Sequence, residues 1–376
     1  MNYLFLILLC GLPFGHFIFS KFDIWQAQGQ FFQIGILVLF CWSFFEKPQN
    51  KWVINKPLGV FSLWLGLLTA FWWMDGIVKT GHYPILLFFP FFNYLCFLLF
   101  YKLSIEYLDE KIIEKILNFL SYSVLIVLIY CVLQKLQLDQ FYKALAEPKD
   151  ELVGTIGNTG LLAGYLSLCQ PLFFKRGFKN ILALILLWLI LIIAGSAGGI
   201  ITGIVVILFW LLINKKWIHS IGLIMSLGLI SILLWDKLSL FFFDSGRFEI
   251  WANVFTNFKI APITGGGLGR MLALGINKGG LWKTAHCEPY QLALEAGIIG
   301  LVLGIWCIED YFRRFFRLKT DLTKRLACIF LGFCVLSLTQ FPAHLWLMAS
   351  MGMISYSWLF VIEGEKNGFH TEGDKG

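Results

Sequence analysis

The sequence predicts an all-α fold: a polytopic membrane protein of about 12 transmembrane helices, with a large extracytoplasmic loop between the ninth and tenth spans. Three observations predict it. Hydrophobic residues make up 58% of the 376 and charged residues only 14%, with a mean hydropathy of +0.76; a soluble domain carries about 25% charged residues. One soluble core of this length cannot hide so much apolar surface. The apolar residues also fall into runs near the length that crosses a bilayer as a helix, separated by short connections that collect Lys and Arg on alternate sides.

Taken in order, the expected spans lie near 2–20, 31–45, 57–74, 84–101, 116–134, 158–174, 181–195, 197–213, 218–235, 290–308, 326–341 and 344–362. The first resembles a signal peptide, but no basic segment precedes its apolar run and no A-x-A site follows it, so it reads as a retained helix. The second is short enough to be re-entrant. The seventh and eighth are separated only by Gly195-Ser196-Ala197, a tight turn. The loop 236–289 follows the ninth. Residues 1–362 form one helical domain with no defensible internal repeat, and the polar, Gly-rich 363–376 read as a disordered tail.

Orientation follows from the basic residues. If the N-terminus is cytoplasmic, the cytoplasmic connections 46–56, 102–115, 175–180, 214–217 and 309–325, with the tail, hold 19 Lys and Arg against 11 on the opposite side. Nine of those 11 lie in the long loops 135–153 and 236–289. The bias is strong in the short loops, where the positive-inside rule applies. Both termini are therefore expected in the cytoplasm, with 236–289 outside. The same rule accounts for the net charge of +7 without nucleic acid, for which no aromatic–basic motif is found. The nine cysteines are scattered with no C-x-x-C, and only Cys287 lies in the large loop. Neither a disulfide framework nor a zinc site is suggested, and no cofactor is expected.

Four unusual segments fall on the expected outer side. Gly154-Thr155-Ile156-Gly157-Asn158-Thr159-Gly160 leads into the sixth span and is either a flexible helix entry or a backbone bending into a cavity shielded from lipid. Gly195-Ser196-Ala197-Gly198-Gly199 reads first as a turn with close packing through small residues. In the large loop, Phe248, Trp251, Phe255 and Phe258 recur at helical spacing, flanked by Arg247 and Lys259, as on a helix lying in the membrane interface. Pro262 through Gly269, ahead of Arg270, is not a Walker loop, having no Gly-Lys-Ser/Thr; it is either a flexible loop or a backbone nest for an anion. Lys283 and His286 follow. Gln340 and His344 flank the connection between the last two spans, where an interfacial histidine is the plain reading.

Glu295 falls inside an apolar span, and an intramembrane carboxylate is by default a functional candidate. Ala293, Gly297, Gly300 and Gly304 give that span a small-residue side for close packing. His286 and Glu288 are two residues apart with no obvious third ligand, which argues against a metal site.

Gly246-Arg247-Phe248-Glu249-Ile250-Trp251, then Pro262-Ile263-Thr264-Gly265-Gly266-Gly267-Leu268-Gly269, then His286 and Glu295-Ala296-Gly297-Ile298-Ile299-Gly300 resemble, in order, the motifs of the O-antigen ligase and polymerase superfamily. Gly154-Thr155-Ile156-Gly157-Asn158 through Pro171 resembles that family's Gly-Asn entry helix, so the resemblance covers roughly residues 150–310. It implies a metal-independent glycosyltransferase of the bacterial cytoplasmic membrane. Such an enzyme moves a glycan from a polyprenyl diphosphate carrier to a glycan, lipid A core or protein acceptor. By the same resemblance, Arg247 would hold the diphosphate, His286 would orient or deprotonate the acceptor hydroxyl, and Asn158 would belong to the substrate site. Ala197 stands where many members carry a basic residue, so Arg270 or Lys283 replaces that charge or the substrate binds differently. The aromatic helix around Trp251 would rim the site entered by the carrier lipid. Two other classes compete: a transporter or flippase of lipid-linked glycan, disfavoured because no paired broken helices occur in matching halves, and a non-catalytic component of an envelope-polysaccharide assembly.

Overall fold

The computed structural model describes residues 1–14, 24–48, 54–79, 84–138, 152–156, 158–222, 224–225, 247–277, 284–340 and 342–366. The described residues form helices joined by turns and loops, with no strand. The helices are α1 (Asn2–Gly11), α2 (Ile24–Ser43), α3 (Lys56–Lys79), α4 (Pro84–Tyr107), α5 (Glu110–Lys135), α6 (Thr159–Cys169), α7 (Phe178–Ala194), α8 (Ala197–Ile213), α9 (Arg247–Phe258), α10 (Arg270–Asn277), α11 (Glu288–Leu318), α12 (Asp321–Leu336) and α13 (Trp346–Lys366). Short 3-10 turns extend α1 and α6 and precede α13. Helices thus stand at eleven of the twelve expected spans; the ninth is helical over 217–222, and most of it lies outside the described residues.

Local chemistry explains the boundaries. Asp109 Oδ1 accepts the Ile112 amide at 2.7 Å and caps α5. Thr320 Oγ1 does the same for α12 through Thr323 at 3.2 Å. The α7–α8 turn is the expected one: Gly195 takes φ 67°, the left-handed conformation that glycine adopts without cost. α2 is longer than expected, starting at Ile24 rather than near 31. Its first turns are rich in glutamine, which obscures an apolar run, yet Gln28 is buried and Gln33 Nε2 donates to Asn93 Oδ1 of α4 at 3.0 Å. Gln28 and Gln33 face the bundle, so the helix continues where hydropathy alone would end it.

A large core joins α1, α2, α4, α5, α6, α7, α12 and α13 around Phe5, Phe32, Phe100, Tyr165 and Trp358. A second, aromatic core around Tyr101, Tyr311, Phe330 and Tyr356 binds α4, α11, α12 and α13. Gly199 of α8 lies so close to Ala163 of α6 that a Cβ would sit 2.6 Å from the alanine methyl. That close approach of small residues is the expected packing device. Outward faces are apolar: Ile181, Ile185, Leu189 and Ile192 of α7, and Ile126 and Ile129 of α5, are each more than half exposed. Three helices, Glu110–Lys135, Glu288–Leu318 and Trp346–Gly364, are long and apolar enough to cross a membrane. Together these features make the chain a helical membrane protein.

One end of the bundle gathers connections expected on a single side. Met1 pairs through its amino group with Glu46 at 3.0 Å. Glu114 joins Lys175 and Arg325, and Arg314 joins Asp310 and Glu363. Lys324 Nζ reaches Asn214 at 2.9 Å, and Asn55 Nδ2 donates to both Asp310 at 2.9 Å and Tyr356 at 2.8 Å.

Candidate functional site

The other end is organised around the connection between α12 and α13. Arg247, the first residue of α9, donates from Nη1 to the Thr339 carbonyl at 3.0 Å. Gln340 Nε2 donates to the Gly160 carbonyl at 3.1 Å and approaches Ser196 Oγ at 3.5 Å. Gly198 lies against Thr339, where a Cβ would sit 2.7 Å from Oγ1. At the start of α11, the Glu288 amide donates to the Ser337 carbonyl at 2.8 Å, and Glu288 Oε1 accepts the Ala343 amide at 2.7 Å. The four segments singled out in the sequence therefore converge on residues 337–343.

The loop before α11 carries His286 at φ 52°, a left-handed conformation uncommon for a non-glycine residue. Its neighbours hold it there. Trp251 Nε1 donates to the Ala285 carbonyl at 2.9 Å, and the Ala285 amide donates to Gln291 Oε1 at 3.1 Å. Trp251 also contacts the Tyr290 ring at 5.5 Å between centroids. Burial, and then the nearby positive charge of Arg247, hold the His286 imidazole below its ordinary pKa of 6.5, so the neutral form is favoured. Burial also lowers the Arg247 pKa from its usual value, though a guanidinium stays charged. Among the described residues no carboxylate pairs with Arg247.

Glu295 is buried, and its Oε1 accepts from Gln291 Nε2 at 3.2 Å and from the Met271 amide, in the first turn of α10, at 3.3 Å. Gln291 thus links the carboxylate to the backbone beside His286. Glu295 anchors α10 as a negative group near a helix N-terminus and supports the His286 loop from behind.

Gly297 departs from expectation. It is not a small residue on a continuous helix face; it takes φ 71° and ψ −170° and breaks α11 into two segments. The break exposes backbone groups that the Pro262–Gly269 loop satisfies. The amides of Gly266 and Gly267 donate to the carbonyls of Leu294 and Glu295 at 2.8 and 2.9 Å, and the Ile298 amide donates to the Pro262 carbonyl at 2.9 Å. A Cβ on Gly297 would sit 2.1 Å from the Ile263 oxygen, and one on Gly265 would sit 2.5 Å from the Glu295 oxygen. The Gly265 amide also donates to the Ala261 carbonyl at 2.8 Å. With the amides of Gly265, Gly266 and Gly267 committed to carbonyls, these three are not free to hold an anion. This stretch of the loop is a backbone lock on the broken helix.

Other expected site residues fare differently. Arg270 opens α10, half-buried, with its side chain packed across Gly266. Asn158 caps α6, its Oδ1 accepting the Gly160 and Leu161 amides at 2.8 and 3.2 Å. Ahead of it, the turn at 154–156 is buried, and the Gly154 amide donates to Gln134 Oε1 at 2.8 Å. Phe248 and Phe255 lie exposed on the face of α9 opposite the buried Ile250 and Val254, with the Lys259 ammonium 4.7 Å from the Phe255 ring centroid. Lys283 lies outside the described residues, as do 363–376 beyond Lys366. Cys287 is buried at the N-cap position of α11, which makes it a poor target for labelling from outside. Thr339 and Gln291 had not been singled out. Gln291, four residues before Glu295 on one helix face, carried a readable signal; the Thr339 carbonyl carried none.

No protein-family model matches the chain, and no curated protein matches it.

Proposed function

We propose that this protein transfers a glycan from a polyprenyl-diphosphate carrier to an acceptor hydroxyl at the outer face of the bacterial cytoplasmic membrane, as an O-antigen-type polymerase or ligase. This reading takes about twelve spans, both termini in the cytoplasm and α9–α10 outside. One observation carries it: Arg247 and His286 lie within electrostatic range of one another, where four separate segments meet, at the end of the bundle away from the ion-paired basic connections.

In the transfer, the acceptor oxygen attacks the anomeric carbon of the donor sugar. The bond from that carbon to the carrier diphosphate breaks, the diphosphate leaves with the electron pair, and the hydroxyl proton passes to His286. A neutral imidazole is the form able to take that proton, and such assistance gives about 10²–10⁴-fold. The charge that develops on the diphosphate is met by Arg247, whose planar fork matches phosphate oxygens and whose charge acts most strongly where water is scarce. Arg270 belongs to the same proposed cationic surround, and the exposed Phe248 and Phe255 offer the carrier chain an apolar approach from the bilayer.

The test is a transfer assay with purified protein and lipid-linked oligosaccharide donor. Arg247→Ala and His286→Ala each lower the rate about 10²–10³-fold; native rates in both would overturn the proposal. A cysteine introduced at the exposed Glu249 (Glu249→Cys) should react with an impermeant reagent from outside intact cells; protection there would put the site in the wrong compartment.

A further inference from the structure

At the ion-paired end, α7 and α8 leave a groove of about 1110 Å³. The two helices meet at their tight turn and where the Trp188 ring of α7 lies over Gly203 of α8. α8 packs on α6 and α12, while α7 packs on α6 and α5. The gap between them opens outward beside the 3-10 turn Gln170–Phe173, which forms part of its floor. One stretch of the groove is apolar, bounded by Ile185, Leu189 and Ile192 of α7, Ile207 of α8, and the Phe174 and Trp210 rings, whose centroids are 4.9 Å apart.

The other stretch is charged and unbalanced. Its two acids are already taken: Glu114 by Lys175 and Arg325, the latter at 2.5 Å, and Asp321 by Lys324 at 3.3 Å. Arg176 and Lys216 line the same stretch, and no carboxylate among the described residues pairs with either. Arg325 is buried, and while its Nη2 holds Glu114, its Nη1 has no acceptor among the described residues. A buried charged donor with no acceptor is costly in a membrane protein. A phosphate at this end of the groove would relieve that cost and neutralise the excess charge.

We propose that the groove is a seat for an anionic glycerophospholipid of the surrounding leaflet. Its phosphate lies among Arg176, Lys216 and Arg325, and one acyl chain lies along the apolar face of α7. The chemistry fits on both counts. Guanidinium groups match phosphate oxygens, and basic pockets between helices on the side rich in anionic lipid select such headgroups. The apolar length rules against a free phosphate as the natural occupant. The proposal holds whatever reaction the opposite end performs.

Native mass spectrometry of the full-length protein, released from detergent with added lipid, tests it. Phosphatidylglycerol should be retained several-fold better than phosphatidylethanolamine of the same chains, whose ammonium meets the basic cluster. The double variant Arg176→Gln/Lys216→Gln should lose phosphatidylglycerol about tenfold. Lys111→Gln/Lys319→Gln, which removes equal charge at the same end away from the groove, should retain it. Ile185→Trp guards against misfolding of the charge variant: it fills the chain seat on an exposed position and should also lower retention. Equal retention of the two lipids, unchanged retention in the double variant, or displacement of phosphatidylglycerol by equimolar polyprenyl phosphate would each overturn the proposal.

Discussion

The two ends of the bundle are built from different interactions. At one, side chains hold each other: Glu114 with Lys175 and Arg325, and Arg314 with Asp310 and Glu363. At the other, backbone dominates. Glycine amides of residues 266–267 bind the carbonyls beside the Gly297 break, the Glu288 amide binds Ser337, and Arg247 reaches a carbonyl rather than a carboxylate. A cation satisfied by an acid within the protein contributes to structure. A cation whose nearest partner is a neutral carbonyl keeps its charge available to an anion from outside. That difference separates Arg247 from the paired cations Lys175, Arg314 and Arg325, and it sets Arg176 and Lys216 of the groove apart from them as well.

Substitutions at the two ends should therefore fail in different ways. The largest contrast is in rate. Arg247→Ala, with its loss of about 10²–10³-fold in transfer, should leave the unfolding midpoint nearly unchanged. Arg314→Ala should do the reverse, with transfer per folded molecule retained. If Arg314→Ala abolished transfer in folded protein, the division would be wrong. Next comes the backbone lock. Gly297→Ala places a Cβ where the Ile263 oxygen stands, at a φ that side chains avoid, and should cost about 3 kcal/mol. Thermal loss of helix in detergent would read it, and a midpoint equal to the native one would show that the break is not fixed by Gly297. Smaller again is the stability cost of Arg314→Ala itself. It leaves Asp310 and Glu363 without their shared partner and should cost about 1–3 kcal/mol, discounted for partial exposure.

Much of this architecture was legible in the sequence because lipid imposes one rule, a run of apolar residues per helix, and hydropathy reads that rule directly. The positive-inside count grouped connections that the structure brings together at one end, such as 46–56 with 309–325 through Asn55 and Asp310. Two features escaped. The start of α2 hid behind glutamines that turn inward, because hydropathy averages around a helix and ignores which face is buried. The role of Gly297 escaped because a glycine in an apolar run fits both close packing and a break. Only the partner loop, some 30 residues earlier in the chain, decides between them. At the site, residue types alone marked Arg247 and His286, but the scaffold that positions them is made of carbonyls and amides that every residue carries. For the same reason the cap that Asn158 provides to α6 was not read from its residue type.

The finest distinction between the ends is electrostatic and can be titrated. His286 is held below its ordinary pKa first by burial and then by Arg247. A histidine so depressed binds its proton less readily folded than unfolded. Its contribution to stability is therefore complete above the unfolded value of 6.5 and declines as the pH falls below it, where only the unfolded chain takes up the proton. The same depression keeps the imidazole neutral, and thus competent as a base, into mildly acid solution. Removing the Arg247 charge with Arg247→Gln leaves burial in place, so the His286 pKa should rise without reaching or passing the solvent value. Nitrogen-15 spectra of histidine-labelled protein, with the His286 signal assigned by its loss in His286→Asn, would follow this without any need for activity. An upward move ties the two side chains into one site. A titration indifferent to Arg247 would mean that the guanidinium and the imidazole do not sense each other, and the base and the diphosphate clamp would have to be sought in separate places.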